Sequence, residues 1–213
     1  MEVLHMSTTE VVTSRKLKGK DLITIGIFSA IYFVINFIFM LAAALHPIMW
    51  ILMPGFIALF TGVPYMILAS KVQKAGAVLI MGLISGLIYY ATGMFTVVIL
   101  ITFASACVLA ELIRLATKYK SFTGNSISFA IFSVGMIGSP LPMWLFKESF
   151  FEQISVQTGQ GGIISGNYLS ILSGLATDGM LFVLILAPVV LGVIGALIAK
   201  ALFKKHFVKA GIV

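Results

Sequence analysis

The hydrophobic and polar residues divide the chain into six long apolar segments that are separated by polar connections. A helix needs about 20 apolar residues to cross the hydrocarbon core of a bilayer, because each residue adds only about 1.5 Å. By that measure the sequence predicts six transmembrane helices, at residues 22–45, 48–70, 75–92, 94–113, 127–146 and 179–203. The predicted fold class is therefore all-α, an integral membrane bundle of six helices. Pro54 and Pro64 predict a kink or break in the second helix.

The positive charges predict how this bundle is oriented. If both termini lie on one side, 13 of the 14 Lys and Arg residues fall on that side and only Lys147 falls opposite. Short loops rich in Lys and Arg stay in the cytoplasm, so the N and C termini are predicted to be cytoplasmic. One membrane domain, residues 22–203, then lies between cytoplasmic tails at residues 1–21 and 204–213. Its outer loop, residues 147–178, begins with "KESFFEQISV", a predicted interfacial helix, and continues into the glycine-rich "GQGGIISGN".

Composition supports a membrane protein and excludes several other classes. The chain is 60% hydrophobic and 10% charged, whereas a soluble domain is about one quarter charged. The net charge is +7, and the Lys and Arg residues that produce it flank the apolar segments. This placement favours attraction to an anionic leaflet over nucleic-acid binding. Cys107 is the single cysteine and the three histidines are far apart, so neither a disulfide nor a metal is predicted. No cofactor is expected.

Motifs of catalysis are absent from the sequence, and no enzymatic activity is predicted. There is no Walker A pattern, GxSxG or HExxH. Glu111 is the one acid inside an apolar segment, and Arg114 follows three residues later. This spacing favours an ion pair on one helix face. The alternative is a proton-coupling carboxylate.

The first helix carries two special faces. Small residues at four-residue spacing mark surfaces where helices approach closely in membranes, and Gly26 and Ala30 form such a pair. We assign this pair to an external partner, and the pairs at residues 82/86 and 192/196 to packing inside the bundle. Ser29, Tyr32 and Asn36 lie on a different face, since successive residues turn by about 100°. That polar face is expected to point into the protein.

A second group of residues is predicted near the outer ends of the helices. Aromatic residues at that depth either form an interfacial belt or line a pocket that binds a flat, partly polar molecule. The candidate substrate-binding residues are Asn36, His46, Trp50, Tyr89, Tyr90, Trp144, Lys147 and Glu148.

These features together resemble a known family. The stretch "KDLITIGIFSAIYFVINF", the six-helix layout and the proline-marked outer turns resemble the Trep_Strep family of bacterial membrane proteins, over roughly residues 16–205. That family is similar to the substrate-binding S components of energy-coupling factor (ECF) transporters. The resemblance implies a multi-pass protein of the bacterial cell membrane that captures a vitamin or similar micronutrient from outside.

The resemblance also implies partners. An S component joins a transmembrane coupling protein that carries two ABC ATPases, which fits the missing ATPase motif. In that group a pair of small residues on the first helix, typically two alanines, packs against the coupling protein, and Gly26 and Ala30 occupy those positions here. The alternative is a stand-alone small permease or channel that is oligomeric.

Overall fold

In the computed structural model of the protein, residues 16–91, 96–159 and 166–203 are described. These ranges contain nine α-helices and a 3₁₀ segment at Gly135–Gly138, with no strand among them. The helices are α1 (Gly19–Ala43), α2 (Pro47–Lys71), α3 (Ala77–Ala91), α4 (Val97–Ala116), α5 (Phe122–Val134), α6 (Pro142–Leu145), α7 (Lys147–Gly159), α8 (Gly166–Leu175) and α9 (Asp178–Leu202). The predicted all-α class is confirmed. The tails at 1–15 and 204–213 lie outside the described residues.

Four of these helices, α1, α2, α4 and α9, are long and apolar enough to cross a membrane. Two further apolar helices are shorter: α3, and α5 together with its 3₁₀ extension, over residues 122–138. Large hydrophobic side chains cover the exterior, and Ile23, Leu83 and Phe182 each expose more than 60% of their surface. Such a surface requires lipid around it. The count of six membrane crossings stays a prediction.

Helix α2 forms the centre of the bundle. In its most apolar window 72% of the residues are buried, against 22% in α1 and 28% in α9. It packs against α1, α5 and α9, and it continues through Pro54 and Pro64 without a break. The closest approach is to α9: a Cβ added at Gly62 would lie 2.7 Å from the carbonyl oxygen of Gly195. Two glycines thus let two backbones touch, as small residues do in membrane bundles.

Successive apolar helices run in opposite directions: one cavity joins the ends of α1 and α3 to the starts of α2 and α4, and α9 runs parallel to α2, since Gly55 meets Ala187 and Gly62 meets Gly195. The bundle therefore has two distinct ends. At the cavity end, residues from the end of α1, the start of α2, the end of α3 and the start of α4 surround one cavity. The opposite end, here called the basic end, carries nine of the ten Lys and Arg residues that fall in the described ranges. They are Lys16, Lys18, Lys20, Lys71, Lys74, Arg114, Lys118, Lys120 and Lys200. Lys147 begins α7 at the cavity end.

The fifth predicted segment, residues 127–146, is wrong as a continuous helix. Helix α5 begins earlier, at Phe122, and ends at Val134; the chain then passes through the 3₁₀ segment and the short α6. Pro140 and Pro142 have no N–H to donate and so interrupt the helical hydrogen bonds. Gly138 allows close packing on α4, because a Cβ there would lie 2.7 Å from the Cα of Ile99.

The predicted outer loop folds into two helices that cover the cavity end. Helix α7 confirms the helix predicted for "KESFFEQISV", and α8 was not predicted. Both contribute to a second apolar cluster, distinct from the main core, with Leu172 and Met143 at its centre. The hydroxyl of Tyr168 in α8 donates a hydrogen bond to the carbonyl of Ala43, at 3.3 Å. Helix α8 is therefore fixed to the end of α1. Most of "GQGGIISGN" lies outside the described residues.

Candidate functional site

The small pair on α1 lies on an open surface. A Cβ added at Gly26 would meet nothing within 4 Å, and Ala30 is exposed. Exposed apolar residues continue this surface at Ile23, Ile27 and Val34. We call these five residues the α1 surface. They recur at three- and four-residue intervals, so they form one stripe along the helix.

Three of the four residues in the other small pairs pack inside the bundle, as predicted. A Cβ added at Gly82 would contact the Cβ of Cys107 at 3.3 Å, and one at Gly192 would lie 3.3 Å from the Cα of Ala130. Ala196 is fully buried. Gly82, Gly192 and Ala196 therefore pack inside the bundle, whereas Gly86 lines the open groove between α3 and α4.

The polar face of α1 points into the bundle, which confirms a second prediction. Ser29, Tyr32 and Asn36 are all at most 1% exposed. The hydroxyl of Ser29 donates to the carbonyl of Ile25 at 2.7 Å, and Nδ2 of Asn36 donates to the carbonyl of Tyr32 at 2.7 Å. The Oδ1 atom of Asn36 has no hydrogen-bond partner within the described residues. A buried acceptor without a donor is uncommon, because its desolvation is then uncompensated.

A cavity of about 330 Å³ lies at the cavity end, one helical turn beyond Asn36. It is mainly apolar, with three methionines and two hydroxyl groups in its walls. Its lining residues are Met40, Leu41, Ala44, Met53, Tyr89, Ile99, Met136 and Ser139. Its volume is at the lower end of the range for small-molecule sites.

Of the eight candidate substrate-binding residues, Tyr89 lines this cavity and the other seven do not. Tyr89 is 2% exposed, whereas its neighbour Tyr90 is 73% exposed and lines an apolar groove of about 590 Å³ between α3 and α4. Lys147 and Glu148 are exposed at the start of α7. The structure therefore does not gather all eight residues into one pocket.

The remaining candidates have clear structural contacts. His46 is the N-cap of α2, where its Nδ1 accepts a hydrogen bond from the backbone N–H of Ile48 at 3.2 Å. Trp50 borders the cavity indirectly: its Nε1 donates to the hydroxyl of Ser139 at 3.3 Å, and its ring stacks on Phe150, with centroids 5.9 Å apart. Trp50 thus connects a cavity residue to the α7 cover.

Trp144 lies farther from the cavity, in the second apolar cluster. Its Nε1 donates to the carbonyl of Thr177 at 3.0 Å. Thr177 is the N-cap of α9, so Trp144 fixes α6 to the start of that helix. Substrate contact by Trp144 stays a prediction.

Sequence reasoning missed most residues that line the cavity, including Met40, Ala44 and Ser139. One signal was present: Met40 follows Asn36 by four residues, so the two are neighbours on one face of α1. That face leads from the buried polar residues to the cavity. Ser139 carried no comparable signal, because it follows the 3₁₀ segment rather than lying within a periodic helix.

The predicted ion pair between Glu111 and Arg114 is confirmed at the basic end, with Oε2 of Glu111 3.9 Å from Nη1 of Arg114. Glu111 also accepts the backbone N–H groups of Gly76, at 2.8 Å, and Val78, at 3.1 Å. Those donors lie at the start of α3, whose first turn has N–H groups without helical partners. Glu111 is therefore a cap for α3 as well as a counter-ion.

Arg114 is fully buried and joins three helices. Its Nη2 donates to the carbonyls of Ala69, at 3.3 Å, and Val72, at 2.8 Å. Its Nε donates to Oδ1 of Asn125, at 3.1 Å. Nearby, Nζ of Lys74 lies 2.6 Å from Oδ2 of Asp21. The charged groups that are buried at this end are thus engaged with one another and with backbone.

Comparison with known proteins shows the family of the chain. The family model Trep_Strep, described as a hypothetical bacterial integral membrane protein, matches residues 19–209. No curated protein and no solved structure matches the chain.

Proposed function

The chain belongs to the Trep_Strep family of bacterial integral membrane proteins, and we propose that it is the substrate-binding subunit of a membrane importer of the ECF type. In this proposal a small micronutrient binds at the cavity end, which faces outward. A coupling protein that carries two ABC ATPases binds the α1 surface. The predicted multi-pass location in a bacterial membrane is the premise, and it agrees with both the family description and the apolar helices.

The observation that carries the proposal is the open pair Gly26 and Ala30. Helix packing inside a membrane depends on close backbone contact, and Gly62, Gly82 and Gly192 serve that purpose within the bundle itself. At Gly26 the space beside the backbone is empty. A glycine in the middle of a helix costs about 1 kcal/mol relative to alanine, so smallness at this position is best explained by a partner helix.

The proposed topology has six crossings with cytoplasmic termini. Support comes from the alternating direction of the six apolar helices and from the basic end, which holds nearly all described cations. Lys and Arg next to membrane helices favour the cytoplasmic side. The basic end would then face the cytoplasm, and the cavity, covered by α7 and α8, would face outward. Cysteine labelling of the exposed Glu152 and Lys118 positions from each side of intact cells would test this orientation.

The proposal is tested by assembly with an energy-coupling module. The chain is co-expressed with the coupling protein and ATPases of its own bacterium and purified through an affinity tag. We expect Gly26→Leu and Ala30→Leu to abolish co-purification, because either leucine would hold the partner helix away. Ser105→Leu, on an exposed position of α4, is the matched control and should retain the complex.

Thermal unfolding of the purified variants separates assembly from folding. Gly26→Leu should unfold at the temperature of the unmodified chain, since nothing lies within 4 Å of the added Cβ. Unchanged assembly in both leucine variants would refute the proposal. Uptake by the purified chain alone in liposomes would instead support a stand-alone permease.

A further inference from the structure

We infer that the cavity at the end of α1 binds an uncharged, planar aromatic molecule of one or two rings that carries a hydrogen-bond acceptor. This inference deepens the proposed function, on which it rests, by naming the class of substrate.

The cavity walls are uncharged. None of the described lining residues is Lys, Arg, His, Asp or Glu. The titratable residue nearest in sequence, His46, is exposed and caps α2, and Lys147 and Glu148 lie exposed at the start of α7. An ionised ligand in an apolar cavity would lose its hydration without gaining a counter-ion, which strongly disfavours binding. A neutral ligand would not meet this penalty.

Three methionines favour an aromatic ligand. Met40 comes from α1, Met53 from α2 and Met136 from the 3₁₀ segment. Methionine side chains are flexible and polarizable, and their sulfur atoms make favourable contacts with aromatic rings. Three thioethers from three elements can therefore adjust to both faces and the edge of a flat ring. A volume of about 330 Å³ limits that ligand to a small ring system.

Ser139 supplies a directed donor. Its hydroxyl oxygen accepts the hydrogen bond from Nε1 of Trp50. A hydroxyl that accepts one bond still has its own hydrogen to donate. Because Trp50 is held by stacking on Phe150, it occupies one lone pair of the Ser139 oxygen, and the hydroxyl hydrogen can turn toward a ligand in the cavity. A carbonyl oxygen or an unprotonated ring nitrogen on the ligand is the complementary group.

Asn36 does not reach the cavity, since it is fully buried one turn below Met40 and is absent from the cavity wall. The cavity itself therefore offers the Ser139 hydroxyl as a donor in apolar surroundings, which suits a neutral heterocycle or carboxamide with an acceptor.

The test uses probes that share one ring and differ in charge. Nicotinamide is neutral, nicotinate is an anion and 1-methylnicotinamide is a cation. Binding to the purified full chain in nanodiscs is measured by titration calorimetry and by the shift in unfolding temperature. We expect nicotinamide to bind and both ions to bind at least tenfold more weakly. Equal or tighter binding of either ion, or no nicotinamide binding at millimolar concentration, would overturn the inference.

Two variants locate the binding. Ala44→Phe fills the cavity from an exposed position and should abolish nicotinamide binding. Ala104→Phe, which fills the separate groove between α3 and α4, is the matched control and should not. Nicotinamide binding that survives Ala44→Phe would contradict the inference.

A hydroxyl deletion tests the donor. Ser139→Ala should weaken nicotinamide about fivefold, as expected for one lost hydrogen bond, and leave indole, which has no comparable acceptor, unchanged. Equal effects on both probes would overturn the assignment of Ser139. These measurements need no energy-coupling module. If the chain does not prefer nicotinamide over the two ions, but Gly26→Leu still abolishes co-purification with the energy-coupling module, this inference alone is overturned. If the chain prefers nicotinamide, but Gly26→Leu leaves co-purification unchanged, the proposed function alone is overturned.

Discussion

Replacement of Glu111 by alanine tests whether the buried acid is structural or functional. The variant removes two hydrogen bonds to the start of α3 and the counter-ion of Arg114. The fully buried Arg114 would then keep its charge without a carboxylate. A proton-coupling acid would be needed for transport, and a structural acid would be needed for folding.

The structure sets the size of the expected effect. Two unit charges 3.9 Å apart attract by about 4 kcal/mol at an effective dielectric constant of about 20. Loss of one partner from a buried pair typically costs about 3–5 kcal/mol. For a chain of 213 residues each kcal/mol lowers the unfolding temperature by about 2–4 °C. We therefore expect Glu111→Ala to unfold about 10 °C below the unmodified chain.

The assay is thermal unfolding of the purified chain in nanodiscs, followed by intrinsic fluorescence. Glu111→Gln keeps an acceptor for α3 and should lose less stability than Glu111→Ala. Glu152→Ala, exposed on α7, is the control and should shift the free energy of unfolding by less than about 0.5 kcal/mol. If Glu111→Ala unfolds at the same temperature as the unmodified chain, the structural role of Glu111 is refuted. If this variant keeps that unfolding temperature but no longer takes up substrate, Glu111 is the coupling acid.

Two further predictions use the same unfolding assay. Gly62→Ala should destabilise the chain by about 1–3 kcal/mol, since its Cβ would lie 2.7 Å from the carbonyl oxygen of Gly195. Gly26→Ala should be neutral or stabilising by up to about 1 kcal/mol. Equal effects of the two substitutions on stability would contradict the packing described for these glycines. Trp144→Phe should lose about 1 kcal/mol of stability with its hydrogen bond to Thr177. Weaker nicotinamide binding at unchanged stability would make Trp144 a ligand contact.

The helices that were predicted well are those whose existence depends on local composition. The first segment, 22–45, and the last, 179–203, agree with α1 and α9 to within three residues, because length and apolarity alone decide that such a stretch spans a bilayer. The faces of α1 were also predictable. A rotation of about 100° per residue separates Gly26 from Asn36 whatever the rest of the bundle does.

The pocket was harder to predict because depth along a helix does not give direction around it. Tyr89 and Tyr90 lie at the same depth, yet successive residues of a helix point about 100° apart, and one is buried while the other is exposed. Trp50 and Trp144 also share a depth. Their indole N–H groups bond to Ser139 and Thr177, partners that come from distant parts of the sequence. Such partners depend on tertiary packing that no periodicity reveals.

Helix α8 was missed for a related reason. It is short, and its apolar residues, among them Tyr168, Leu172 and Leu175, are stabilised by the second apolar cluster. A helix of this length gains most of its stability from packing rather than from propensity. The sequence around α8 is polar and rich in glycine, and this composition predicted a loop rather than a helix.

The distribution of buried charge agrees with the proposed importer, whose energy would come from its partners. The buried charged side chains in the described ranges are Asp21, Glu111 and Arg114, and all three lie at the basic end, engaged in ion pairs. A pump driven by protons or ions needs a titratable group whose state changes with substrate binding. At the cavity end, the described lining residues offer hydroxyl, thioether and aliphatic groups instead. Energy supplied through the α1 surface by an ATP-hydrolysing module would let this uncharged cavity bind and release its ligand without a coupling acid of its own.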